Sequence, residues 1–333
     1  REAAEPGEIP YISKSRIKKW VTCPEQFNFS YLKGYKEPEN RYMRRGTDIH
    51  ESFEDYYANA YQFVEIENRI PNLTELVDLL PESSRWFLFT EPYISNFLLF
   101  EMRRAEAVRE VVAWTHAQMD DDQLSSDDEE VAAREWLPVE VEGEAWLDDP
   151  LGYGDDAIPW MGYADAIYPA SGFPEIESNS GVVIVDFKTG KTPNEKYRDE
   201  GIYLEGEYYA MLFESDWDVA GVAGYYPKND DLIVSPLKQS RRDKILAVAE
   251  AMQEVSGMDP GHLEIEEQPL CYWSEDGHCP YYDMCESRWG EPLKHADKTR
   301  EMFAAGMSPN QIAAELDCEP NHVYYAKKKL VIS

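Results

Sequence analysis

The sequence predicts an α/β fold with a mixed central sheet flanked by helices. Residues 65–135 show helical periodicity, most clearly over 91–119, and the pattern changes to short strands from Trp136 onward. Turns rich in Pro, Gly and Ser separate these strands, and further helical segments alternate with them, as in α/β domains. The 333 residues, of which 43% are hydrophobic, suffice for one large domain or two smaller ones.

The predicted elements follow one another in a simple order. A loose leader over residues 1–10 precedes a helix capped by Ser13, and a second helix carries His50. The predicted strands are 137–142, 160–168, 182–185, 219–226 and 232–236, with helices over 203–213 and 243–255. The segment 172–181 forms a hairpin-like connection between the second and third strands.

The charge of the chain bears on its partners. Lys and Arg number 32 against 65 Asp and Glu, a net charge of −33, which taken alone argues against a polyanionic partner. The acids are spread along the whole chain, which is typical of a surface adapted to high salt, where screening weakens their repulsion. We therefore expect a halophilic, cytoplasmic protein without a signal peptide or membrane span, and DNA is not excluded.

The stretch from Gly181 to Gly190 is the central feature of the sequence. Residues 182–185 are β-branched and apolar, which is typical of a strand buried on both faces. Asp186 and Lys188 follow on the same side of that strand. Taken alone, they form an ion pair at a strand end. An acid and a lysine that project into a cleft also suit metal-assisted hydrolysis.

Other polar side chains accompany this pair along the chain. His50 lies on a predicted helix after Arg-Gly-Thr, Asp165 ends a Gly-Tyr-Ala-Asp motif within a predicted strand, and Tyr209 lies on the helix after Lys188. Singly, they suggest a satisfied buried histidine, a turn acid and a core aromatic. In this order, with two strands between two helices, they indicate one site.

These motifs resemble the RecB-like branch of the PD-(D/E)xK nucleases over residues 11–290. The family pattern is Arg-Gly-Thr-x-x-His, Gly-x-x-Asp, Asp-x-Lys-Thr-Gly and Gln-x-x-x-Tyr. This sequence departs from it at Glu205, which stands where the family has glutamine, four residues before Tyr209. The resemblance implies a restriction-endonuclease-like core with a helical insertion over 65–135.

The resemblance also implies a role for each residue. The implied catalytic set is His50, Asp165, Asp186, Lys188, Glu205 and Tyr209. The first three would hold Mg²⁺ or Mn²⁺, with the carbonyl of Phe187 as a further ligand. Lys188 would position or deprotonate water and offset charge on the phosphate. A further acid could come from Glu140, Glu142 or Glu144, among which the sequence does not choose.

The cysteines point to a second metal. Five are too few for a disulfide scaffold, and three of them lie within the Cys-rich segment 271–289. In the resembled branch, which includes AddB and the CRISPR adaptation exonucleases, one N-terminal and three C-terminal cysteines hold a [4Fe–4S] cluster. The equivalents here are Cys23, Cys271, Cys279 and Cys285, although seven residues precede Cys279 where the family has two.

The resemblance implies a structural role for the cluster, which would fasten the N-terminal helix to the C-terminal segment. The alternative is a structural zinc held by Cys271, Cys285 and either His278 or Cys279. Cys318 lies outside the group and is expected to be a buried core thiol.

Residues 291–333 predict a small trihelical unit. Gly306 ends its first helix, and Ser308 begins the second as an N-cap, followed by Pro309 and the capping-box residue Gln311. Pro320 begins a third helix that ends in three lysines. The pattern resembles helix-turn-helix units of the resolvase or sigma type. Its third helix would dock on DNA, or the unit would contact a protein; the sequence leaves both open.

We expect a metal-dependent DNA nuclease, since the set of His50, Asp165, Asp186 and Lys188 is complete. The resemblance implies an exonuclease acting on single-stranded DNA or DNA ends in repair, recombination, viral replication or CRISPR adaptation. The alternative is a DNA-binding regulator or assembly factor that keeps the nuclease fold without activity. A zinc-stabilised adaptor is a third hypothesis. DNA is the expected partner, with protein partners possible through the C-terminal unit.

Overall fold

The computed structural model describes residues 7–36, 41–85, 92–118, 126–259, 261–268, 271, 279–287 and 289–330. The helices are α1 (Lys14–Thr22), α2 (Pro24–Phe27), α3 (Arg41–Glu67), α4 (Leu73–Asp78), α5 (Glu82–Arg85), α6 (Pro92–Gln118), α7 (Ser126–Trp136), α8 (Ile202–Phe213), α9 (Gln239–Val255), α10 (Glu291–Lys294), α11 (Ala296–Ala304), α12 (Pro309–Glu315) and α13 (Pro320–Lys329). The strands are β1 (Glu140–Leu147), β2 (Trp160–Pro169), β3 (Val182–Phe187), β4 (Val219–Tyr226) and β5 (Asp231–Ser235).

Within the described residues the strands form one sheet in the order β1-β2-β3-β4-β5. The first three strands pair antiparallel, which confirms the hairpin-like connection between β2 and β3. β4 lies parallel to β3, since the chain crosses over through α8, and β5 returns antiparallel. The predicted α/β fold with a mixed sheet flanked by helices is confirmed.

Side-chain alternation along β3 divides its residues between two layers. All six residues are buried, as expected of a central strand. Val183, Val185 and Phe187 belong to the large apolar cluster that includes residues of α3, α6 and α7. Asp186 points to the opposite face, where Tyr209 of α8 approaches it. The strand therefore places its one carboxylate on the α8 side of the sheet.

A polar network is buried within the apolar cluster. The Arg104 guanidinium donates to Glu101 at 3.0 and 3.1 Å and lies 3.7 Å from the ring centroid of Tyr168. The Tyr57 hydroxyl also donates to Glu101, at 2.8 Å. Because the charged pair is fully buried, these bonds offset the cost of removing both charges from water.

The first strand begins later than the sequence predicts, at Glu140 instead of residue 137. The Leu137 N–H still donates to the Ala133 carbonyl, so α7 occupies the backbone up to this point. Pro138 then offers no N–H for a sheet ladder. The other strands lie within two residues of their predicted bounds.

The chain divides into two compact units. The larger comprises residues 9–18 and 38–254 and contains the whole sheet. The smaller comprises residues 1–8, 19–37 and 255–333. In the smaller unit, α11 to α13 share a small core of Met302, Ile312, Ala313, Leu316 and Val323.

The start of α12 has the predicted capping box, in which the Ser308 hydroxyl accepts from the Gln311 N–H and the Gln311 side chain accepts from the Ser308 N–H. Of the helices in the described ranges, none combines the length and apolar character that a membrane span needs.

Candidate active site

Two carboxylates face each other across β1 and β2. The register pairs Val141 with Ala166 and Gly143 with Ala164, so Glu142 lies opposite Asp165. Like charges in this position are destabilising. Glu142 also has a φ of 50°, in the left-handed region that is costly for residues with a side chain. Two unfavourable features at one position indicate a site kept for function.

His50 of α3 completes this group. Its Nδ1 lies 3.5 Å from Asp165 Oδ1. One donor atom from each of His50, Glu142 and Asp165 lies within 4.8 Å of the other two. Carboxylate oxygens together with an imidazole nitrogen suit Mg²⁺ or, more readily, Mn²⁺. Of the three acids that the sequence could not separate, the structure brings Glu142 to this group.

The pKa shifts of Glu142 and His50 reflect the negative charges that lie close together at this site. Burial, and then the neighbouring Asp165, raises the pKa of Glu142 to about 7. Burial opposes a charge on His50, but Asp165 outweighs this effect and raises the pKa of His50. A cation bound between these side chains would relieve the repulsion between the two carboxylates.

A second group of charges lies on the α8 side of β3. Lys188 contacts Asp186 and donates to Glu205 Oε2 at 2.6 Å. Asp186 and Glu205 are only 3% and 4% exposed, so both carboxylates need cationic partners. The predicted pairing of Asp186 with Lys188 on one side of the strand is present in the structure.

Two lysines of α1 join this group. Lys14 Nζ lies 2.7 Å from Asp186 Oδ1, and Lys18 Nζ lies 2.5 Å from Glu205 Oε1. Burial alone would raise the pKa of Glu205, but Lys188 and the other lysines lower it to about 2. Neither lysine is among the site residues that the sequence predicts. The signal was their spacing of four residues, which places them on one face of a helix.

Tyr209 connects α8 to both strands. Its hydroxyl donates to the Tyr163 carbonyl at 2.9 Å and lies 3.4 Å from Asp186 Oδ1. The close approach of α8 depends on Gly162, because a Cβ there would lie 2.8 Å from Leu212 Cδ2. The glycine of the Gly-x-x-Asp motif therefore has a packing role: it lets α8 approach the strand that carries Asp165.

The predicted site residues thus fall into two adjoining groups. His50 and Asp165 lie together with Glu142, whereas Asp186, Lys188 and Glu205 lie with Lys14 and Lys18. The groups meet at Phe187, whose N–H donates to Asp165 Oδ2 at 2.5 Å. Metal ligation by Asp186 and by the Phe187 carbonyl stays a prediction.

The smaller unit brings the four predicted cysteines together. Cys23, Cys271, Cys279 and Cys285 line one small cavity. Its other lining residues are the aromatic or apolar Phe29, Ile265, Tyr281 and Tyr282 and the polar Glu25, Gln26 and Ser287. Burial raises the pKa of Cys279 to about 11, and the other three thiols add to the shift. Cys318 packs instead against the core of α11 to α13. The alternative zinc ligand His278 lies outside the described residues.

The sequence matches the model of a known protein family over most of its length. The profile of the PD-(D/E)XK nuclease superfamily matches residues 11–286. The chain belongs to the PD-(D/E)XK nuclease superfamily. Nucleases of this superfamily use divalent metals, and the donors of His50, Glu142 and Asp165 fit such an ion. A search of curated proteins found no match.

The crowding of Glu142 and Asp165 predicts a pH-dependent stability. Because the folded-state pKa of Glu142 is raised to about 7 from 4.5, the folded protein binds the proton more tightly than the unfolded chain. The free energy of unfolding therefore falls as pH rises through this window. We expect Glu142→Gln to stabilise the metal-free protein at pH 8 by about 0.5 kcal/mol, with no gain at pH 4.

Thermal unfolding in EDTA measures the effect of Glu142 on stability, and thermal unfolding in Mn²⁺ measures its effect on metal binding. Mn²⁺ should raise the melting temperature of the wild type at pH 8 and of Glu142→Gln much less. Glu144→Gln is the matched control, since Glu144 lies on the same strand and is exposed. Equal Mn²⁺ stabilisation of Glu142→Gln and the wild type would exclude Glu142 as a ligand.

Proposed function

We propose that the protein is a metal-dependent deoxyribonuclease that hydrolyses phosphodiester bonds, by exonuclease action on single-stranded DNA or DNA ends. One observation carries the proposal: a metal-fitting group of His50, Glu142 and Asp165 adjoins a half-buried lysine, Lys188, which is paired with Asp186. The resemblance to the RecB-like branch supports the exonuclease assignment.

The chain's own residues have distinct tasks in this reaction. When bound, a divalent ion supplies Lewis-acid polarisation of a phosphoryl oxygen. Burial would lower the pKa of Lys188, but Asp186 outweighs it and raises that pKa, so the ammonium stays protonated. As a cation, Lys188 would orient water and stabilise phosphate charge. Tyr209 holds Asp186 in place through its hydroxyl.

The proposal is tested by cleavage of end-labelled single- and double-stranded DNA with Mg²⁺, Mn²⁺ or EDTA. We expect cleavage that needs the metal, and a loss of roughly 10²–10³-fold or more in Lys188→Ala, as when one charge-stabilising group is removed. A ladder that shortens from one end would support exonuclease action and give its direction. A series of KCl concentrations tests the salt-adapted surface, for which activity should be highest at high salt.

Lys244→Ala serves as the control, because Lys244 forms an exposed pair with Glu200. It should cleave like the wild type. If DNA is bound but not cleaved under any of these conditions, the nuclease proposal fails and a DNA-binding regulator replaces it. Internal cuts without end-dependent shortening would make the protein an endonuclease.

We also propose that the four clustered cysteines bind a [4Fe–4S] cluster. Four thiols in a mostly apolar cavity are the donor set that such a cluster takes, and thiolates paired with iron would avoid the unfavourable charge that raises the pKa of Cys279. The cluster would join the segment around Cys23 to the C-terminal segment of the smaller unit. Its role would be structural.

Anaerobic purification followed by metal and sulfide analysis distinguishes the alternatives. We expect a brown protein with about four iron atoms and four sulfides per chain. Cys279→Ala should lose the colour and unfold at a lower temperature, whereas Cys318→Ala, which lies outside the cavity, should keep it. A colourless protein that contains zinc would replace the cluster with a structural zinc, and a protein without either metal would overturn both.

We further propose that α11 to α13 form a helix-turn-helix that binds DNA through α13. Asn321, Tyr324 and Lys328 are exposed at spacings of three and four residues, so they form one outward face of this helix. His322, Val323 and Ala326 face inward. A face with an amide, an aromatic ring and a cation suits contact with phosphates and bases.

The double variant Tyr324→Ala with Lys328→Ala tests this face. We expect about a tenfold loss of affinity for duplex DNA at low salt, which corresponds to ~1.4 kcal/mol. The control removes Lys298 and Arg300, exposed cations of α11. Unchanged DNA affinity in the α13 variant would make the unit a protein-contact module.

A further inference from the structure

We propose that Lys14 is a second lysine of the active site and binds a phosphate of the DNA strand beside Lys188. The inference rests on the proposed nuclease function, because it concerns the same site. Lys14 lies about 170 positions before Lys188 in the chain, and it belongs to none of the family motifs that predict the other site residues.

The position of Lys14 is the first argument. Its Nζ lies 2.7 Å from Asp186 Oδ1 and 4.0 Å from Glu205 Oε2. Lys188 contacts the other oxygen of Asp186, so the two ammonium groups lie on either side of one carboxylate. A lysine that shares a carboxylate with the catalytic lysine is close enough to reach the same phosphate or its neighbour.

The helix that carries Lys14 holds it there. The Ser13 hydroxyl accepts from the Arg16 N–H at 3.4 Å and so caps the first turn of α1. Ile17 is buried at 1% exposure, which fixes the rotation of this turn. Lys14 is thereby directed to the site at the start of a rigid element, and its side chain remains 24% exposed, so a ligand can reach it.

The charge of the group is the second argument. Lys14, Lys18 and Lys188 contribute three positive charges against two from Asp186 and Glu205, in a chain whose net charge is −33. The three lysines concentrate positive charge on the α8 side of β3, next to the group of His50, Glu142 and Asp165. A phosphate of a DNA strand would be attracted to these lysines.

Salt dependence of binding tests the contact. Binding of a short single-stranded oligonucleotide is followed in EDTA by fluorescence anisotropy over a range of KCl concentrations. Each phosphate contact with a single strand contributes about 0.7 to the slope of log K against log [salt]. We expect Lys14→Met to lose about this amount of slope. Lys14→Arg, which keeps the charge, should retain the slope.

Lys19→Met is the matched control, since Lys19 lies on the same helix and donates to Ser30 instead. It should keep the wild-type slope. A lysine that only held Asp186 in place would alter kcat in Mn²⁺ and leave the slope unchanged, and that result would overturn the proposal. Absence of any wild-type binding would instead overturn DNA as the ligand, so the two failures are distinguishable.

Discussion

The burial of Asp186 is the constraint on which the candidate active site depends. The carboxylate lies one residue before the end of a strand whose six residues are all buried, and it is itself only 3% exposed. An isolated charge in such a place is strongly unfavourable, and removing one partner of a buried pair is among the costlier changes a protein can undergo. Lys188 and Lys14, which are far apart in the sequence, meet this requirement together. The position of α1 is therefore tied to the end of β3.

Strand alternation then separates the two halves of the site. Along β3, Phe187 enters the apolar cluster with α3 and α6, whereas Asp186 and Lys188 project toward α8. The metal-fitting group lies on the neighbouring strands and on α3. A single hydrogen bond from the Phe187 N–H to Asp165 joins the halves through the backbone. The sheet thus holds the group of His50, Glu142 and Asp165 and the group of lysines next to each other.

The order of the motifs along the sequence and the family resemblance singled out Asp165, Asp186 and Lys188, and the structure places them within β2 and at the end of β3. They could not single out Glu142. Residues 140, 142 and 144 share one face of β1, so periodicity treats them alike. The register with β2 and the positive φ of Glu142 distinguish it, and both depend on tertiary structure. Likewise, the later start of β1 follows from the continuation of α7 through Leu137.

The contacts of Glu205 explain why the sequence does not predict Lys14 and Lys18 as site residues. Where the resembled family has a neutral amide, a carboxylate here lies 2.6 Å from Lys188 and would by itself neutralise that lysine. Lys18 contacts the other oxygen of Glu205, and Lys14 lies near both acids. The departure from the family pattern and the two lysines of α1 therefore explain each other: the additional acid is tolerated because additional cations face it. No window of sequence contains both, since 187 positions separate Lys18 from Glu205.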